Sequence, residues 1–152
     1  MNRGLDCRVP RALWLLVVSA VVLLLTACAG SSGPPAPLVG TVWNVKEAEG
    51  LVFKPLKGGR DAHLRLDEAK RRATGYTGVN SFNGAFQAQA GQLRFGALAA
   101  TRRAGPPAAM TFESAYFKAL AATRNYRVSG DQLELLDGEG VVRAKLEALP
   151  PL

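Results

Sequence analysis

The chain is poor in the groups most enzymes depend on. Its 152 residues include two cysteines and one histidine. Both cysteines, Cys7 and Cys28, stand near the N-terminus. Residues 29–152 therefore lack a thiol for a disulfide, a thiolate nucleophile or a cysteine-ligated metal. His63 is the single imidazole. A Ser-His-Asp arrangement needs it beside a nucleophile and an orienting acid, yet no G-x-S-x-G elbow accompanies it. Zinc takes three or four nitrogen or sulfur ligands, more than this composition supplies. Phosphate-cradling and dinucleotide-binding glycine motifs are missing too. Apolar runs are scarce: Ala12–Leu25 is interrupted only by Ser19, and no second run follows. It is shorter than the roughly 20 residues of a membrane-spanning helix. No cofactor and no metal are expected.

Acidic clusters are equally sparse. Asp67 and Glu68 are adjacent, so on a strand they point to opposite faces. "DGEG" (Asp137–Gly140) lacks the ligand series and terminal glutamate of a calcium loop and reads as a hairpin turn. Basic residues outnumber acidic ones, 19 to 12, for a formal charge of +7. They are scattered from Lys54 to Arg103, without the clustering and motif that nucleic-acid binding requires. The expectation is a solvated basic surface and no nucleic-acid partner.

The N-terminus is better defined. Arg3, Arg8 and Arg11 precede the apolar run, and Leu25-Thr26-Ala27-Cys28 closes it. A basic start, a short apolar core and small residues at the cut describe a secretory signal peptide. "LTAC" resembles the lipobox of bacterial lipoproteins. That resemblance implies removal of residues 1–27 and a diacylglycerol thioether on Cys28. Each acyl CH2 buried is worth ~0.8 kcal/mol, so two or three chains anchor a protein durably. Lipoproteins retained in the inner membrane favour aspartate after the cysteine; Ala29 points instead to the periplasmic face of the outer membrane. The expected partners are the membrane, through the lipid anchor, and an unidentified envelope protein. Residues 28–37, "CAGSSGPPAP", read as a flexible tether, and residues 38–148 as one domain.

Within that domain short runs alternate with turn residues. Trp43 is the bulky anchor of "TVWNVKEAEG". "HLRLD" alternates Leu64 and Leu66 with Arg65, the period of a half-buried strand. "GAFQAQ" and "QLRF" flank Ala90-Gly91, a hairpin turn. "NYRV", "QLELL" and "VVRAKLEAL" follow, Leu133 and Leu135 sharing one face and Val142, Ala144 and Leu146 another. Short links favour antiparallel pairing. One helix interrupts the series. Pro106 and Pro107 suit a first turn, and Met110, Phe112, Tyr116, Phe117 and Leu120 form an apolar stripe that leaves Glu113 and Lys118 to face water. The fold class is α+β: a small twisted antiparallel sheet, partly barrel-like, with one packed α-helix.

The ordered set "LVGTVWNV", "AHLRLD", "GYTGVNSFNGAF", "LRFGALAATRRAG", "MTFESAYFKAL" and "NYRVSGDQLELLDGEG" resembles the META domain of the heat-shock HslJ lipoproteins. The resemblance implies a role in envelope integrity or stress response; the lipobox, the tether and the lack of reactive groups add the expectation that it is non-enzymatic. The resemblance also places Gly78, Asn80, Phe82 and Gly84 on a Gly-Cys-Asn segment of that family. Asparagine tolerates left-handed backbone and bonds its own chain, so the segment reads as a structural corner; the functional alternative has Asn80 and Asn83 presenting amides to a ligand. The family carries cysteine where Val79 and Gly105 stand here, implying that these two positions face each other within the ~7 Å a disulfide can span. A different class of function is a periplasmic carrier of a small apolar ligand, in a cavity bordered by Asn80, Asn83 and His63.

Overall fold

The computed structural model describes residues 34–149. The expected leader, Cys28 and the first residues of the tether lie outside the described residues. Strands β1 (Val42–Ala48), β2 (Leu51–Val52), β3 (His63–Asp67), β4 (Arg72–Tyr76), β5 (Ser81–Gln89) and β6 (Gln92–Ala100) come first. Helix α1 (Pro107–Ala122) follows, then β7 (Asn125–Ser129), β8 (Gln132–Leu136) and β9 (Val142–Ala148).

Every pairing is antiparallel, as the short connections require. From β3 onward each strand pairs with the next in sequence. Strand β1 pairs with β3 along one edge and β9 along the other, so the sheet returns upon itself. The ring has a thin seam: β6 meets β7 at one Cα pair, Gln92↔Asn125. Backbone bonds Leu93 N to Arg124 O (3.0 Å) and Tyr126 N to Gly91 O (2.9 Å) reinforce it. The architecture is the expected twisted antiparallel sheet with one helix, closed as a ring rather than a continuous barrel.

Alternation along the strands explains which side is buried. Leu64 and Leu66 point inward while Arg65 is exposed. Leu133 lies opposite Leu146, and Leu135 opposite Ala144, so those apolar rows line the same inner surface. The β5–β6 turn places Ala90 and Gly91 at φ 43° and 84°, the left-handed pair that matches strand twist in a two-residue hairpin. Strand β3 ends at Asp67; Glu68 has already entered the turn, so the two carboxylates do not share a strand. Asp67 Oδ1 accepts from the backbone N–H of Lys70 at 3.0 Å and closes that turn.

Trp43 is fully buried, and its Nε1 donates to the carbonyl of Leu38 at 3.0 Å. Ala36 N donates to Gly130 O at 2.8 Å, and Ala36, Leu38 and Val39 pack on the core. The domain thus takes hold of the chain slightly ahead of Leu38. Helix α1 opens on Pro107, where a missing N–H costs nothing, and packs against β1, β6, β8 and β9. Phe112, Tyr116 and Leu120 are buried as the stripe predicted. Phe82 meets Tyr116 and Phe117 edge-on, at centroid distances of 5.7 and 5.5 Å, an arrangement that aligns ring edges with ring faces. The Tyr116 hydroxyl has no partner among the described residues, and burial pushes its pKa far above the usual phenol range. Lys118 is exposed as expected, but Glu113 is not: it is buried. Glu113 precedes Tyr116 by three positions and Phe117 by four, so helical geometry sets it on the packed face whatever its polarity.

Val79 and Gly105 are in contact, as the resemblance implied. A Cβ built on Gly105 would lie 2.8 Å from Val79 Cγ2. The fragment Pro34–Leu152 is one compact unit with a single core. The double substitution Val79→Cys, Gly105→Cys in that fragment is expected to form a disulfide and add about 2–4 kcal/mol. Denaturant melts with and without reductant measure this; a thiol pair that stays free under oxidant contradicts the geometry.

Candidate functional site

The segment Thr77–Asn80 is a corner between β4 and β5. Gly78 adopts φ 98°, and a Cβ there would strike the Phe53 ring at 2.8 Å, so both angle and space select glycine. Thr77 N donates to Asn80 O at 2.9 Å, and Thr77 Oγ1 accepts from Asn80 N at 2.9 Å. Around this turn three distant stretches meet. Asn80 Nδ2 donates to Glu113 Oε1 and Oε2 at 3.1 and 3.0 Å and to Arg103 O at 3.1 Å. Asn80 Oδ1 accepts from Thr101 Oγ1 at 2.8 Å and Arg103 N at 2.7 Å. Thr77 Oγ1 donates to Glu113 Oε2 at 2.5 Å.

Asn80 is 1% exposed and has no hydrogen-bonding capacity left for a ligand. Glu113, 9% exposed, is stabilised by neutral donors rather than a cation. Such charge-assisted bonds are short and strong. The corner is a knot that fixes helix to sheet.

The other two candidate residues are elsewhere. His63 is half-buried at the start of β3, on the outer side opposite to inward Leu64. Its Nδ1 donates to Asp61 O at 3.1 Å, and its ring lies 6.3 Å from that of Tyr76. Asn83 is also on the outer side, opposite Thr74, and accepts from the Arg72 guanidinium. With Asn80 turned inward, His63, Asn80 and Asn83 border no common cavity. Among the described residues, an open groove of about 460 Å3 lies instead where β5 runs on past the start of β4. It is lined by Val39, Glu68, Arg71, Phe86, Gln89 and Arg94, among others. A polar lining with two arginines suits a charged or hydroxylated group better than an apolar one.

A second polar network supports the β8–β9 turn. Asp137 Oδ1 accepts from the N–H groups of Glu139 and Val141, both at 2.9 Å, and Oδ2 accepts from Arg143 at 2.6 and 2.8 Å. Arg143 also approaches Glu49 at 3.7 Å, and Glu49 pairs with Lys118 at 2.8 Å. The Val141 N–H, then Arg143 and the Glu139 N–H, hold the Asp137 carboxyl below its ordinary range against the opposing effect of burial. This "DGEG" segment is the hairpin turn the sequence suggested. Among the described residues no three His, Cys, Asp or Glu side chains converge as a metal site would need.

Residues 36–148 match the META domain, and the chain belongs to that family. An NMR structure of a protein from Burkholderia xenovorans is similar, with a TM-score of 0.56 and 25% identity over 81% of this chain and 94% of that one. A second NMR structure has the same TM-score at 17% identity, over 72% of this chain and 90% of that one, and shows the fold alone. No curated protein matches the chain.

Two measurements test the reading of this region. Asn80→Ala leaves Glu113 and the Arg103 carbonyl short of donors inside the protein and should cost about 2–4 kcal/mol; Asn83→Ala, on the surface, should cost no more than about 0.5 kcal/mol. Equal losses in chemical denaturation would refute the distinction. Because the folded pKa of Asp137 is depressed, its contribution is complete above its unfolded pKa near ~3.9 and fades as pH falls toward the folded value. Asp137→Asn should therefore flatten the acid limb of a Tm-against-pH curve, and an unchanged limb would contradict it.

Proposed function

We propose that the protein is a lipid-anchored, non-enzymatic META domain protein of the cell envelope, held through Cys28 at the periplasmic face of the outer membrane. It contributes to envelope integrity or stress response by binding envelope components. One observation carries this reading: Leu25-Thr26-Ala27-Cys28 closes the single long apolar run, itself preceded by three arginines. That order suits a processed leader ending on a lipid-bearing cysteine. No described helix is long and apolar enough to cross a membrane.

The described side chains favour binding over catalysis. The Thr77 hydroxyl is engaged by a carboxylate and His63 points away from the Asn80 corner. A carrier of a small apolar ligand would need room between helix and sheet, where Phe82, Phe112, Tyr116 and Leu120 already pack together.

The test is mass spectrometry of the product made from the whole chain in a bacterial host. Expected are loss of residues 1–27, a diacylglyceryl adduct on Cys28, and partition into detergent. Cys28→Ala should abolish both the adduct and the partitioning. An unmodified thiol at position 28, or a retained leader, overturns the proposal.

A further inference from the structure

The geometry points to the loop Leu51–Arg60 as a membrane-docking surface that takes the anionic headgroups of a lipid bilayer. Leu51, Val52 and Leu56 are 41%, 66% and 37% exposed, three of the five large apolar side chains that stand open among the described residues. Lys54, Lys57 and Arg60 are interleaved with them, all exposed, and no carboxylate occurs between Gly50 and Arg60. The nearest in sequence are Glu49, paired with Lys118, and exposed Asp61.

The loop is held in place rather than loose. Phe53 N donates to Lys46 O at 2.8 Å, and its ring packs on Phe112 with centroids 5.0 Å apart. Gly59 N donates to Leu56 O at 2.7 Å, which forms the tip. At the far end the Arg60 guanidinium stands 4.5 Å above the centre of the Tyr76 ring. Leu56 and Lys57 are thereby presented together.

Charge separates this stretch of the chain from the other described residues. Residues 50–105 carry ten lysines and arginines against three carboxylates, and of those ten only Lys70 makes an ion pair among the described residues. The remaining described residues carry six basic against eight acidic groups, and the other ion pairs fall there, from Lys46–Glu147 to Arg127–Glu134. Cations alone would suit any polyanion. Apolar side chains spaced between cations suit the boundary between headgroups and acyl chains, where burial and attraction to anionic lipid act together. This inference does not rest on Cys28.

The test uses the lipid-free unit Pro34–Leu152, which contains the whole core, so the anchor cannot supply the binding. Vesicles of phosphatidylglycerol with phosphatidylethanolamine are compared with phosphatidylcholine by co-sedimentation. Binding is expected to the anionic vesicles alone and to weaken with salt. Leu56→Trp should show blue-shifted emission on them. Each cation at the surface is worth about fivefold in partitioning, so Lys57→Glu should lower binding by about tenfold or more. Arg127→Glu changes the net charge equally but lies on β7, outside the loop, and should leave binding within about twofold. Circular dichroism verifies that both variants fold. No partition into anionic vesicles overturns the proposal, as does equal loss in the two variants. So does retention on dextran sulfate combined with an unshifted Leu56→Trp emission on vesicles, which would assign the patch to soluble polyanions.

Discussion

The contact between Asn80 and Glu113 governs how the two layers of this domain meet. It joins the corner ahead of β5 to the middle of α1, and through Arg103 and Thr101 it also secures the chain leaving β6. A carboxylate sheltered from water is tolerable only when donors fill its acceptor sites. The helix therefore has one favourable seating. Rotation by a residue or a slide by a turn would carry Glu113 away from Asn80 and Thr77. In that seating Tyr116 and Phe117 meet Phe82, and Phe112 meets Phe53. Polar pairing selects the position, and apolar packing supplies most of the attraction.

The glycine- and asparagine-rich stretch is thus architectural. The Asn80 amide and the Thr77 hydroxyl are committed to the fold, as are the carboxylate of Asp137 and the indole N–H of Trp43. What remains free lies outside: the arginines around the groove, the cations of the β2–β3 loop and the apolar tips between them. A domain built this way meets its surroundings with its surface, while its interior maintains shape.

Much of this architecture was legible in the residues. Leu64–Arg65–Leu66 announces its strand through alternation, Ala90-Gly91 its turn, and Phe112, Tyr116 and Leu120 their common helical face. Glu113 shows position outweighing polarity: its spacing from Tyr116 and Phe117 places it on the packed side, although a carboxylate alone suggests water. A cavity shared by His63, Asn80 and Asn83 needs all three side chains on one face of the sheet. Strand pleating separates them, sending two outward, while the corner turns Asn80 inward. The meeting of β1 with β9 had no local signal, since no turn connects strands about a hundred residues apart in sequence.

That last pairing bears on how the molecule comes to exist. Strand β1 opens the domain, yet one of its edges is completed only by β9, which closes it. Contacts so remote in the chain close late and slowly, because loop entropy must be overcome before they form. A nascent chain emerging in order from a ribosome would hold an unfinished sheet until β9 had emerged. As long as that strand is withheld, the edge of β1 stays open to other partners.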